Sequence, residues 1–379
     1  MGIGCGTVDQ VIHVNLSRLR RSLLLAAIAA AVAGPVTGAA RPEAVPAPVP
    51  AAFPTAFPAA GSAVPAAVAP LRTATPASAA TAASTAALEA RFAAVRDDIL
   101  AAERTAAGHG DLRRAAMLRA MADPARRFLS FDGRDGGRTA EVFGDLASAG
   151  RIAVLVPGSD TSLDKYGLLR GGSLRLRQAL GDRAAVIAWL GYRPPAMLSL
   201  AALTTGRADD AAPALRAFVR GLTALKPAAR ISLVCHSYGG VACGKAAQRP
   251  DTTSGTTTGT TGTAAGGTTG TGIAGVSDIV LIGSPGSTAA DVRALRTRST
   301  LWAGRGGHDW IACVPHARLH LPFVTLGFGQ DPAGPGSGAR LFATGDGGHS
   351  DYLDTGSLSL RNIARIVSGQ HPVQAGGRV

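Results

Sequence analysis

The chain has 379 residues, 46% of them hydrophobic but only 4% aromatic, so a sizeable core must be built from Val, Leu, Ile and Ala. That length suits one large domain or two modest ones. The formal charge of +13 comes almost wholly from arginine, Lys165, Lys226 and Lys245 being the only lysines. No arginine cluster interleaves with aromatics, which argues against a nucleic-acid partner and leaves a diffusely basic surface suited to loose association with an anionic cell envelope.

Residues 1–40 read as a signal peptide. Arg18, Arg20 and Arg21 precede the apolar run "SLLLAAIAAAVAG", and "VTGAAR" offers small residues for cleavage. The run is short of the roughly 20 residues a membrane span needs, so export is expected, with an uncleaved anchor as the alternative. The arginine pair leaves general and twin-arginine export both open. Residues 41–86, rich in Ala, Pro and Thr, read as an extended linker whose prolines forbid regular helix. Over 87–125 the spacing of Leu88, Phe92, Val95 and Ile99 predicts helix.

From 126 to 370 the pattern is strands alternating with helices. "RFLSF" and "RTAEVF" flank "DGRDGG" as a hairpin, and "RIAVLVPG" (151–158) is a short buried run. Helix around 172–181, strand "AAVIAWLGY", helix over 208–226, strand "RISLVC" and a helix to about Gln248 follow. Residues 251–275, nearly all Thr, Gly and Ala, read as a low-complexity insertion. Strand 278–283, helix 287–296, strands 299–304 and 339–344, and a helix at 356–368 complete the series. Such alternation predicts an α/β fold with a mostly parallel central sheet and helices on both faces.

In such a sheet the reactive groups lie beyond the carboxyl ends of the strands. Ser237 stands just after "ISLVC" and before a helix, with Gly239 and Gly240 close behind, as in a nucleophile elbow. The first position of the Gly-x-Ser-x-Gly pattern is Cys235 instead of glycine. Taken alone, a serine there is equally a helix cap. The partners a nucleophile needs nevertheless stand at later strand ends in the order of this fold: Asp309 after strand 299–304 and His349 after strand 339–344. The oxyanion donors are expected at the backbone N–H of Tyr238 and, from "PGSDTS", of Ser159. Asp331, Asp346 and Asp351 are rival acids. The two histidines of "HARLH" (316–320) lack the glutamate of a zinc helix, and no metal or cofactor is expected. "GSPG" (283–286) reads as an ordinary strand–helix turn. Cys235, Cys243 and Cys313, beyond Cys5 of the presequence, read as small buried thiols, although export permits a bridge.

"VLVPGSDTS", "AWLGYRPP", "CHSYGG", "IVLIGSPG", "GHDWIACVPH" and "FATGDGGHSDYLDTGSLSLRNIARIV" together resemble a family of α/β-hydrolases of unknown function, found chiefly in actinobacteria. The resemblance spans about 125–370 and implies a serine-hydrolase triad of Ser237, Asp309 and His349, with no settled substrate. A small-molecule or lipid ester is the expected substrate. Acyl transfer, amide hydrolysis and a non-catalytic secreted binding protein are the alternatives, the last disfavoured by the intact triad. Tyr192, Met197, Leu198 and Leu200 either line an acyl pocket or lid, or pack against the helix layer.

Overall fold

The structure, a computed structural model, describes residues 76–248, 273–287, 298–314, 319–320 and 325–375. All of them fall in one compact unit, Pro46–Val379. The presequence, the core of the low-complexity insertion and the helix expected at 287–296 lie outside the described residues.

Helix α1 (Pro76–Gly108) starts eleven residues before the predicted 87, inside the expected linker. No proline follows Pro76 in that stretch. A proline in the first turn forfeits only an N–H that has no helical partner, and the alanines after it favour helix. α2 (Leu112–Met121) follows a break at Gly110, whose φ is +78°, and is capped by Asp111 accepting the Arg114 N–H at 3.0 Å.

The hairpin forms as expected: β1 (Arg127–Asp132) pairs antiparallel with β2 (Arg138–Phe143). Then come β3 (Arg151–Val156), α3 (Gly167–Leu180), β4 (Ala184–Leu190), α4 (Gly206–Leu225), β5 (Arg230–His236), α5 (Tyr238–Ala247), β6 (Asp278–Ile282) and β7 (Thr300–Gly304). The short pair β8 (Leu319–His320) and β9 (Thr325–Leu326), then β10 (Arg340–Leu341) and α6 (Leu358–Val367), end the series. Eight strands form one sheet in the order β1-β2-β4-β3-β5-β6-β7-β10, antiparallel at β1-β2-β4 and parallel from β4 onward.

The strands are apolar on both faces, and their period-two alternation feeds two cores. Ile152, Val154, Ile187, Trp189, Ile231 and Leu233 pack with α4 and α5 on one side. Ala153, Leu155, Val186, Leu190, Val234 and Ile282 pack with α1, α2, α3 and α6 on the other.

The strand expected over 339–344 shortens to two residues. The Ala343 N–H turns to the Val373 carbonyl, while its own carbonyl accepts from Asn362 Nδ2 at 2.7 Å, so the ladder on β7 cannot continue. α3 begins five residues before the predicted 172. Gly171 and Gly172 obscure its start in sequence, yet Gly172 is required there, because a Cβ would meet Leu353 Cδ1 at 2.8 Å.

Candidate active site

Three strand ends meet at the carboxyl edge of the sheet. The turn from β5 to α5 places Ser237 at φ 55°, ψ −127°, a left-handed conformation that a non-glycine residue keeps only when its surroundings hold it. Its N–H donates to the Ile282 carbonyl at 3.0 Å, tying the corner to β6. The glycine two residues on is obligatory: a Cβ on Gly239 would lie 2.5 Å from the Val156 carbonyl and 2.6 Å from that of Pro157. β3 and the start of α5 can pass only with no side chain between them.

Cysteine at the first position of the motif has a structural partner. Cys235 at the end of β5 and Cys243 in α5 form a disulfide, their Cα atoms 6.5 Å apart. This corrects the expectation of buried thiols. The elbow folds the second turn of the helix back beside the strand and brings the two residues within bridging range. Cys313 is exposed, so that expectation fails for it as well.

His349 Nε2 lies 2.9 Å from Ser237 Oγ, and its Nδ1 lies 2.8 Å from Asp309 Oδ1. All three are buried. The carboxylate only accepts, so Nδ1 carries the proton and Nε2 is left to accept from the serine hydroxyl. Burial works to raise the Asp309 carboxyl, but hydrogen bonds from His349, Tyr352 and the Ile311 N–H outweigh it and hold the group below the usual carboxylate range. Asp309 is also the N-cap of a short 3₁₀ turn, Trp310–Cys313, which fixes its side chain from the backbone. Of the rival acids, Asp331 pairs with Arg305, and Asp351 Oδ2 accepts the Gly348 N–H at 2.8 Å. The Asp346 carbonyl faces His308. No hydrogen bond joins any of the three to His349 among the described residues.

Other contributors were not foreseen. Tyr352, in a 3₁₀ turn just after His349, donates its hydroxyl to Asp309 Oδ2 and accepts the Gly306 N–H at 3.0 Å. Burial, then the adjacent Asp309, pushes that hydroxyl's pKa well up, so it stays protonated and donates. His236 Nε2–H donates to the His349 carbonyl at 2.7 Å. Burial, and then the neighbouring His349, lower its pKa to about 4, so it is neutral at physiological pH. The "GSPG" turn proves more than a connector: Gly283 has φ +55°, and a Cβ there would sit 2.8 Å from Asp309 Oδ2 and 3.2 Å from His349 Cε1. Trp310 packs tilted against the His349 ring, with centroids 4.6 Å apart and 46° between the planes.

Ser237 and His349 open into a cavity of about 300 Å³, lined largely by Leu155, Leu168, Leu169, Met197 and Leu353, with Arg175 and Asp160 the charged members. Ser159 lines it too, and Gly158 lies directly against the serine, since a Cβ there would come 2.6 Å from Ser237 Cβ. The loop is clamped from outside. Tyr192 Oη donates to the Pro157 carbonyl at 2.6 Å, and Asp160, at φ +60°, receives the Met197 N–H at 3.2 Å while its own N–H reaches Pro195 O at 3.0 Å. The Tyr238 N–H stands at the first position of α5, where no intrahelical acceptor exists. Its side chain points away, its hydroxyl donating to Thr204 O at 2.7 Å. Of the four residues foreseen as pocket or core, Tyr192 is core, Met197 lines the cavity, and Leu198 and Leu200 face solvent.

His316 of "HARLH" lies outside the described residues, and no metal-binding group of His, Cys, Asp or Glu occurs among those described.

A family model described as alpha/beta hydrolase matches residues 132–319, which takes in Ser237 and Asp309 and stops before His349. Sheet order and match together give the chain an α/β-hydrolase fold. Among solved structures it is similar to an α/β serine hydrolase without lid from Xanthomonas campestris, at 15% identity and TM-score 0.38 over 64% of this chain and 94% of that one. It is also similar to the esterase LipW from Mycobacterium marinum, at 14% identity and TM-score 0.37 over 74% and 95%. A truncated carbohydrate esterase from gut microbiota matches at 14% and 0.35 over 61% and 90%. No curated protein matches the chain.

Proposed function

We propose that the protein is an exported serine hydrolase that cleaves a carboxylic ester through an acyl-serine intermediate. The observation that carries this reading is the hydrogen-bonded series Ser237–His349–Asp309, opening into a cavity with largely apolar walls. Ser237 Oγ attacks the acyl carbon as its proton passes to His349 Nε2. The imidazolium is stabilised by Asp309 and returns that proton to the departing alcohol. Water then repeats the sequence, its proton going to His349, and the acid leaves as Ser237 is restored. The tetrahedral oxyanion is met by the N–H groups of Tyr238 and Ser159. The apolar walls favour an acyl chain over a charged one. The buried Cys235–Cys243 bridge supports the exported reading, because such bridges persist in oxidising compartments.

The test is hydrolysis of p-nitrophenyl esters of graded chain length, with labelling by a fluorophosphonate. Wild type is expected to turn over and be labelled. Folded Ser237→Ala is expected to lose the label and about 10⁴-fold or more in kcat. A folded wild type that neither labels nor cleaves any ester sinks the reading.

A further inference from the structure

Of the large apolar side chains left exposed, Leu168 and Met197 line the Ser237 cavity, and others lie on the segments that carry them. Leu168 is 81% exposed, Leu198 and Leu200 follow Met197 on the same segment at 101% and 78%, and half-exposed Trp310 packs against the His349 ring. Single exposed leucines are ordinary, whereas a contiguous set around a reaction centre marks a surface that meets something apolar. The segment is held in this state. Met197 N–H is bonded to Asp160, Ala202 N–H to Ser199 O at 3.0 Å, and Gly327 N–H to Leu203 O at 2.8 Å. Leu200 and Leu203 sit three apart on a 3₁₀ turn, where such residues share a face.

Three basic side chains on the segments that carry this rim stand without an ion pair. Lys165 and Arg193 are exposed and Arg207 is half-buried, and none of them has an ion-pair partner among the described residues. Two of the nearby acids are ion-paired, Asp164 with Arg114 at 2.9 Å and Asp209 with Lys245 at 2.8 Å, while Asp160 bonds the Met197 N–H and keeps its charge. Asp210 shares a second concavity with Arg193 and Arg207, which leaves that corner net positive.

We propose that this rim docks on an anionic lipid surface, and that the ester reaching Ser237 is delivered from that surface along the apolar wall of Leu168 and Met197. The fate of the ester rests on the hydrolase reading above; the docking does not. Exposed leucines and a tryptophan would enter the acyl region while the flanking cations meet lipid phosphates.

Full-length Ser237→Ala protein, which binds without turnover, is mixed with vesicles of phosphatidylcholine and phosphatidylglycerol carrying brominated acyl chains, and tryptophan emission is read. Trp189 and Trp302 are buried, so quenching reports Trp310 and is blind to contacts made elsewhere in the chain. Quenching is expected, stronger with phosphatidylglycerol than with phosphatidylcholine alone and absent in Trp310→Phe. A further Leu198→Ser/Leu200→Ser change should shift its lipid dependence by about tenfold or more. Vesicle-bound protein with unquenched Trp310, quenching indifferent to the two serines, or a concentration-dependent dimer that buries Trp310 and excludes vesicles would each overturn the proposal. Absence of ester hydrolysis in the wild type would count against the hydrolase reading alone.

Discussion

The second carboxylate oxygen of Asp309 has, among the described residues, one side-chain donor, the hydroxyl of Tyr352, and that hydroxyl also takes the Gly306 N–H. Tyr352→Phe keeps the ring and strands both groups in a buried place, which costs on the order of 1–3 kcal/mol. We expect kcat on a soluble ester to fall about tenfold with KM nearly unchanged, and denaturant titration to show the stability loss beside it. Unchanged kcat would reduce Tyr352 to a space-filling role. His236 makes a different prediction. Its pKa is about 4 in the folded protein against 6.5 in an exposed histidine, so between those values the unfolded chain binds a proton that the native one does not. Its contribution to stability is whole above about pH 6.5 and is lost as pH falls toward 4. Asp309 is ionised in both states over most of this window, because its carboxyl is held low in the fold. His236→Gln should therefore flatten the acid loss of unfolding free energy by on the order of 2 kcal/mol, the ring being part-exposed, as read from urea titrations at pH 7 and 4.5.

The corner between β5 and α5 joins two devices that read differently in sequence. Gly239 is legible as part of Ser-x-Gly, and its reason is steric: two carbonyl oxygens lie within 2.6 Å of where its Cβ would be. The Cys235–Cys243 bridge spans the same corner and was invisible, because pairing depends on how sharply the chain folds back and not on cysteine count. The same distinction holds across the site. Ser237, Asp309 and His349 are legible because each follows a strand, and the order of strands fixes the order of residues. Tyr352, His236 and Gly283 act through space on their neighbours; at most, Tyr352 is signalled by lying three residues beyond His349. The helix start at Pro76 is hidden for a local reason, since in sequence a proline in a first turn looks the same as one that breaks a helix. A short loop closed by a disulfide is worth about 2 kcal/mol. Cys235→Ala/Cys243→Ala should lower stability by about that amount and lower kcat more than KM changes, since the bridge backs the serine without touching substrate. Thermal unfolding and steady-state kinetics check the two parts separately.

Taken whole, the molecule does not divide at residue 125, although its sequence changes character there. Leu88 and Phe92 of α1 belong to the core shared with β3, β4 and α4, while Val95, Ile99, Ala102 and Ala106 belong to the core on the opposite face of the sheet. One helix thus takes part in both layers, and α2 packs beside it through Ala115, Leu118 and Met121. Arg91 Nε donates to the Leu129 carbonyl at 2.8 Å, so α1 is also tied to the first strand. Helices so engaged unfold with the sheet they cover and not before it, because their apolar faces have no other partner. Ile99 is fully buried, and Ile99→Ala removes three carbons from a close-packed place, a change that costs about 2–4 kcal/mol. The loss should appear as a lower denaturant midpoint with an unchanged slope, followed together by far-ultraviolet dichroism for the helices and by the emission of buried Trp189 and Trp302 for the sheet. Coincident transitions would fix α1 as part of the hydrolase core. An earlier helical transition that leaves tryptophan emission untouched would make it a separable appendage, and the shared core would then have to be redrawn from β1 onward.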